Sequence, residues 1–289
     1  MSSDISERAR RPGPSTKARV RVMTDAGSED RADTLATEEP MEIRLQAPDR
    51  SQRTVAVTMR TPGRDFELAA GFLFGEGVLA DPDQVRQISY CADPELTEDE
   101  RYNVVTVDLT GPLPDLPALE RHFMINSACG VCGKESLEAL RLRGCAPVEG
   151  GPTVRPDVLW ELPERLRSAQ TVFARTGGLH AAGLFSAAGE LLAVREDVGR
   201  HNAVDKLIGW AFLARRLPLD GYLLMVSGRA SYEIMQKALA ARIPAVAAVS
   251  APSSLAVELA RDFEMTLVGF VRERRFNVYA DHGRIAGGH

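Results

Sequence analysis

A chain of 289 residues, 44% of them hydrophobic, holds enough apolar material for one large core or two smaller ones, and two domains are the first expectation. Its 35 Lys and Arg against 40 Asp and Glu leave a formal net charge of −5, so there is no whole-molecule basic field of the kind that binds nucleic acid non-specifically. No apolar run approaches the ~20 residues that cross a bilayer, and the polar start does not read as a secretory leader, so the expectation is a cytoplasmic protein away from membranes.

Residues 1–35 lack an obvious period and carry six Lys/Arg against two Asp/Glu in the first 22 positions, which reads as a disordered, mildly basic arm. Alternating patterns predict strands at 41–45 and 54–59, and the Thr61-Pro62-Gly63 turn leads into a helical pattern over 65–74. Two further strands are expected at 85–91 and 102–109, joined by the acidic stretch 93–101. Gly111-Pro112-Leu113-Pro114 breaks the pattern, a helix is expected over 135–142, and 145–156 reads as a Gly/Pro-rich connector.

Beyond it, 181–186 and 190–194 form a hairpin pattern and 203–216 a helical one. Strands at 221–226, 245–249 and 266–271 then alternate with helices at 232–241 and 254–263, which implies parallel pairing with helices outside the sheet. The expected organisation is an arm (1–35), an N-terminal α+β part (36–145), an α/β domain (146–281) and a flexible tail (282–289).

The first candidate for chemistry is Ser127-Ala128-Cys129-Gly130-Val131-Cys132-Gly133. Helix N-terminal amides and the nearby Lys134 favour a thiolate, and the glycines leave it accessible. Such a thiolate can attack sulfane sulfur and hold it as a persulfide while its neighbour resolves or relays it. Two alternatives stand beside this one. A Cys-x-x-Cys pair can be half of a zinc knuckle, although Cys91 and Cys145 are isolated and supply no second pair, so no metal is assigned. It can also be a dithiol redox pair, although the βαβ context is missing.

The other candidates lie in the second half. His180, after Thr176-Gly177-Gly178-Leu179, can move protons or touch a ligand, or can be a satisfied half-buried histidine. Ala182 stands where a zinc deaminase would carry its catalytic Glu, which argues against deamination. Residues 195–202, REDVGRHN, pack charge densely, and Glu196 or Asp197 can position a proton or a pterin-like ring while Arg200 meets phosphate; Asp197 and Asn202 can equally be turn and cap residues. Ser227, Gly228 and Arg229, together with Ser250, occupy loops at the carboxyl ends of predicted parallel strands, where phosphates bind and where serines also start ordinary helices. Phe270, Val271, Arg272, Glu273, Arg274 and Arg275 set an aromatic ring beside a basic cluster suited to a purine and its phosphates, or simply to solvent.

Taken together, ACGVCG at 128–133, TGG at 176–178, His180-Ala181-Ala182, REDVGRHNAVDK at 195–206, SGR at 227–229 and SAP at 250–252 resemble the formate dehydrogenase accessory sulfurtransferase family, FdhD. The resemblance runs from about Thr61 to Tyr279. It implies a cytidine-deaminase-like, three-layer α/β fold with a mixed sheet, a homodimer, and sulfur relay from a cysteine desulfurase to the molybdenum or tungsten bis-guanine-dinucleotide cofactor of formate dehydrogenase. That cofactor would be bound transiently. The resemblance also implies Cys129 as the persulfide carrier, Cys132 as its partner, and residues 270–275 as the segment that meets the guanine dinucleotide.

Overall fold

In the computed structural model, residues 12–91, 97–114, 137–138, 140–141 and 144–287 are described. Cys129 and Cys132 lie outside the described residues, as does about half of the helix expected over 135–142.

The chain begins with β1 (Ser15–Thr24) and β2 (Gly27–Ala36), an antiparallel hairpin that corrects the expected arm over residues 15–35. Ala18, Val20 and Val22 alternate with exposed Lys17, Arg19 and Arg21, and the basic strand faces an acidic one, with Arg21 Nε 3.1 Å from Asp30 Oδ1 across the pair. Charge density hid a period of two that opposite-sign cross-strand pairs support.

A four-stranded sheet follows, built from β3 (Glu39–Gln46), β4 (Gln52–Arg60), β5 (Val85–Tyr90) and β6 (Val104–Leu109) in the order β4-β3-β6-β5. Helix α1 (Asp65–Gly75) connects β4 to this sheet's second half, and α2 (Glu98–Tyr102) precedes β6. Met41, Ile43 and Leu45 alternate along β3 and are fully buried against Leu68, Ala69 and Leu73 of α1. The strands and α1 fall where the apolar periods placed them, whereas α2 was not expected: it occupies part of the acidic stretch read as a connector and takes Tyr102 from the strand expected over 102–109, which begins at Val104.

The second half adds α3 (Pro156–Ala169), α4 (Phe173–Thr176), β7 (His180–Phe185), β8 (Leu191–Asp197) and α5 (Arg200–Leu213). Then come β9 (Leu223–Val226), α6 (Tyr232–Ala240), β10 (Ala245–Ala248), α7 (Ser254–Asp262), β11 (Thr266–Arg272) and β12 (Arg275–Ala280). The six strands run in the order β12-β11-β10-β9-β7-β8, with β9, β10 and β11 parallel and the outer pairings antiparallel. The architecture is mixed α/β with mixed sheets. Alternation sorts the two faces: Leu224, Val226, Val246 and Ala248 pack toward α5, α6 and α7, while Leu223, Met225, Ala245 and Ala247 pack toward Leu159, Leu162 and Leu166 of α3.

Three differences have physical causes. Helix α3 was not expected, because Pro163 and five charged residues interrupt the composition, yet Leu159, Leu162 and Leu166 keep one apolar face. Strand β12 was not expected, because Glu273 (φ 51°) and Arg274 (φ 59°) make a left-handed two-residue turn without the usual Gly or Asn. The expected flexible tail docks through residue 287: Val154 N–H donates to Arg284 O, Ala286 N–H donates to Val154 O, and the buried Arg284 guanidinium donates to the carbonyls of Gly150, Glu264 and Val148.

The two sheets are joined where α1 crosses α5. A Cβ built on Gly71 would sit 1.9 Å from Asp205 O, and one on Gly209 would sit 1.8 Å from Glu67 O. Backbone touches backbone there, so the parts expected to divide at 145/146 share an interior, and Phe212 of α5 belongs to the core of the first sheet. Gly209→Ala is expected to destabilise the chain by about 3 kcal/mol, through overpacking that no rotamer change can relieve. Gly221→Ala, where nothing lies within 4 Å, is the matched control and should leave the urea midpoint in place.

Candidate functional site

Three loops close the carboxyl edge of the parallel strands, and the backbone stitches them together. Ser227 N–H donates to Ala181 O (3.0 Å) and Ser227 Oγ accepts from Ala181 N–H (2.9 Å), tying the end of β9 to β7. Ser250 N–H donates to Gly228 O (3.3 Å), and Ser250 O accepts from Phe270 N–H (3.2 Å). The serines that open the next helices act as caps: Ser231 Oγ accepts from Ile234 N–H and Ser253 Oγ from Ala256 N–H.

His180, Gly228 and Arg200 converge at this edge. A Cβ on Gly228 would meet His180 Nδ1 at 3.3 Å and Arg200 Cδ at 3.7 Å, so a side chain there would crowd both. His180 is half-buried, and that burial, followed by the Arg200 guanidinium, pushes its pKa below the ordinary histidine value, with Asp197 pulling the other way.

His201, which the sequence reading did not single out, lies beside them. Its pKa is pushed down to about 3, first by burial and then by Arg200, Lys237, His180 and Arg229. The ring is therefore neutral and carries one N–H. Glu233 Oε2, a carboxylate oxygen that accepts, lies 3.1 Å from Nδ1, so the proton sits on Nδ1 and Nε2 accepts from Ser231 Oγ at 2.9 Å.

A cavity of about 610 Å³ opens next to this cluster. Its walls include His180 and Ser227, the Gly177-Gly178 turn, Glu164 and Arg167 from α3, Gln170 at the C-cap of that helix, and Phe173 from α4. The α3 and α4 residues were missed, and the only sequence signal for them was the leucine spacing that betrays α3. The structure brings His180, Ser227, Gly228, Arg200 and Ser250 together. Phe270 joins the same edge through its amide, but the hairpin tip points elsewhere: the Arg274 guanidinium lies 5.4 Å from the Trp160 ring centre, and none of residues 270–275 lines the cavity. Val271 is fully buried among Leu159, Leu162 and Met225, so its side chain belongs to the core.

Part of the dense REDVGRHN stretch holds the fold instead of a ligand. Glu196 accepts from Val172 N–H (2.9 Å) and Phe173 N–H (2.7 Å), which fixes α4 and the Phe173 wall. Asp197 is fully buried; its Oδ2 lies 2.6 Å from Lys206 Nζ and accepts from Thr61 N–H, and its Oδ1 accepts from Gly199 N–H and Asn202 Nδ2. Lys206 Nζ also donates to Thr61 O at 2.8 Å. Among the described residues no group of three or more His, Cys, Asp or Glu side chains is placed to hold a metal ion, and no helix is long and apolar enough to cross a membrane.

Lys206→Met leaves the Asp197 carboxylate buried without its cation, and the expected cost is about 3–5 kcal/mol in equilibrium unfolding. The double variant with Asp197→Asn should be more stable than the single one, because the uncompensated charge is gone; a double variant at or below the single in stability would show that the ion pair is not what the site requires.

Comparison with known proteins supplies the family. The model of the FdhD/NarQ family matches residues 36–286. Proteins named sulfur carrier protein FdhD are similar throughout: one from Streptomyces avermitilis is 53% identical over 275 residues, 93% of this chain and 95% of that protein. One from Mycobacterium tuberculosis is 52% identical over 272 residues (92% and 97%), and one from Sulfurisphaera tokodaii is 43% identical over 267 (92% and 96%). A crystal structure described as that of a formate dehydrogenase accessory protein from Desulfotalea psychrophila aligns with a TM-score of 0.70 at 26% identity, covering 94% of this chain and 99% of that one. With residues 36–286 matched by the family model and relatives about half identical over nearly its whole length, the chain belongs to the FdhD/NarQ family.

Proposed function

We propose that this protein is a sulfurtransferase that carries sulfane sulfur as a persulfide on Cys129. The donor is a cysteine desulfurase, and the recipient is the molybdenum or tungsten bis-guanine-dinucleotide cofactor destined for formate dehydrogenase. The observation that carries the reading is the carboxyl-edge site, where His180, Arg200, Ser227 and Gly228 converge beside a cavity of about 610 Å³. That environment suits the phosphates of a dinucleotide, which is here a substrate and not a resident group. The relatives named sulfur carriers and the accessory-protein structure support the same assignment. A cytidine-deaminase-like description of the fold, a homodimer and a cytoplasmic setting complete the reading.

The transfer balances without an external oxidant. The Cys129 thiolate attacks the outer sulfur of the donor's persulfide, the bond between the donor's two sulfurs breaks, and the donor cysteine leaves as a thiolate. Cys129 then bears one extra sulfur. Cys132 is placed by the sequence to hold or resolve it.

Mass spectrometry tests the relay. After incubation with a cysteine desulfurase and cysteine, the wild-type chain should gain the mass of one sulfur atom on the peptide that contains Cys129, and Cys129→Ala should gain none. Equal labelling of Cys129→Ala would remove that residue from the relay. Stoichiometric zinc lost on Cys132→Ala, with no sulfur uptake by the wild type, would replace the reading with a zinc-stabilised adaptor.

A further inference from the structure

Ser231, His201 and Glu233 form a chain of polar contacts that the sulfur relay does not use. His201 Nε2 lies 2.9 Å from Ser231 Oγ, and its Nδ1 lies 3.1 Å from Glu233 Oε2. A carboxylate only accepts, so the proton of the neutral ring is on Nδ1, and the bare Nε2 takes the serine O–H. Hydroxyl, imidazole and carboxylate in that order are the parts that make a serine nucleophilic: the ring removes the proton and the carboxylate fixes the tautomer. Helix capping requires only the serine, whose Oγ accepts from Ile234 N–H at 3.5 Å, and uses neither of the other two side chains.

Local structure leaves the serine within reach of a reacting group. Strand β9 ends at Val226, a four-residue loop follows, and Ser231 stands immediately before α6. That order sets the first amides of α6 beside the nucleophile, and such amides have no partner within the helix and can hold a developing oxyanion. Ser231 is half-buried and the His201 side chain is 28% exposed, so the pair is open to solvent on one side. Arg200, whose buried Nε has no hydrogen-bond partner among the described residues, immediately precedes His201, and Arg229 lies two residues before the serine. With burial, these cations keep the ring unprotonated; their field weakens it as a base but favours the serine alkoxide and the oxyanion to the same sign.

We infer that Ser231 is the nucleophile of an acyl-transfer site, with His201 as its base and Glu233 positioning that base, and that its substrates are carboxylic esters whose acyl part carries a negative charge. Ser231 Oγ attacks the ester carbonyl carbon as its proton passes to His201 Nε2. The bond from that carbon to the alcohol oxygen then breaks, the alcohol leaves with the proton from His201, and an acyl-serine remains. Water repeats the sequence, giving its proton to Nε2, and the acid departs as Ser231 recovers a proton. No oxidant or reductant enters. The activity goes beyond sulfur carriage by Cys129 and does not depend on it.

A phosphonyl fluoride, which traps serines of this kind covalently, tests the site on the full chain, with the labelled peptide located by mass spectrometry. The wild type should be labelled on Ser231. Ser231→Asn, which keeps a helix cap and removes the hydroxyl, should stay unlabelled, and His201→Gln should be labelled about a hundredfold more slowly. Glu233→Gln should slow labelling roughly tenfold and shift the His201 ring away from its Nδ1–H tautomer, which NMR of the ring nitrogens reads and a merely structural glutamate would leave alone. The para-nitrophenyl half-ester of succinate should be cleaved faster than neutral para-nitrophenyl acetate, and the difference should vanish in Ser231→Asn. An unlabelled wild type, a label retained by Ser231→Asn, or a wild-type His201 protonated on Nε2 would overturn acyl transfer by Ser231. Equal cleavage of the two esters would overturn the anionic substrate class.

Discussion

The crossing of α1 and α5 is the constraint from which the rest of the arrangement follows. Two helices whose backbones touch at Gly71 and Gly209 leave no room for adjustment, so the four-stranded sheet carried by α1 and the six-stranded sheet carried by α5 hold one relative position. Around that contact the polar groups are paired across the same seam. Arg195 grips Glu67 with both arms of its guanidinium, and Asp197 and Lys206 reach the amide and carbonyl of Thr61. Lys237 of α6 lies 2.7 Å from Asp205 and 3.9 Å from Glu76, so the third helix is drawn to the same place. Burial alone would lower the Lys237 pKa, and the carboxylates of Asp205 and Glu76 outweigh it, so the ammonium stays charged.

This seam explains why one short stretch of sequence carries two kinds of work. From Arg195 to Lys206 the chain leaves β8, turns through Gly199 and enters α5, so successive side chains alternate along a strand and then rotate around a helix. Arg195, Asp197, Asn202 and Lys206 fall on the side that faces the first sheet, and their charges are paired there. Glu196 points the other way, to the amides of α4. Arg200 and His201, in the first turn of α5, reach the carboxyl edge, where they meet His180, Gly228 and Ser231. Reading all of these residues as one reactive cluster blends an internal clamp with a surface site.

Much of the fold was legible because local periods match burial. Met41, Ile43 and Leu45 mark one face of β3, and the alternation after Leu223 marks parallel strands separated by helices. The losses came where sequence and environment disagree. Pro163 and the charges of α3 disguise a helix whose three leucines touch the sheet, and the left-handed Glu273 and Arg274 disguise a hairpin turn as a basic cluster. The site was legible in outline, since His180, Arg200, Ser227, Gly228 and Ser250 do gather at one edge. Its cavity wall was not, because Gln170 and Phe173 acquire their meaning only when α3 and α4 pack over the ends of β7 and β9.

The placement of that wall has a consequence for how a charged ligand can be held. Cationic groups close to one another repel, and His201 is held down at about 3 first by its burial and then by Arg200, Lys237, His180 and Arg229. The fold tolerates the crowding because Lys237 is already balanced by Asp205 and Glu76, which leaves Arg200 and Arg229 as the cations whose charge a phosphate would complete. An anion docked there would offset that repulsion and raise the proton affinity of His201, while Asp205 and Glu76 keep Lys237 balanced in the seam behind the edge.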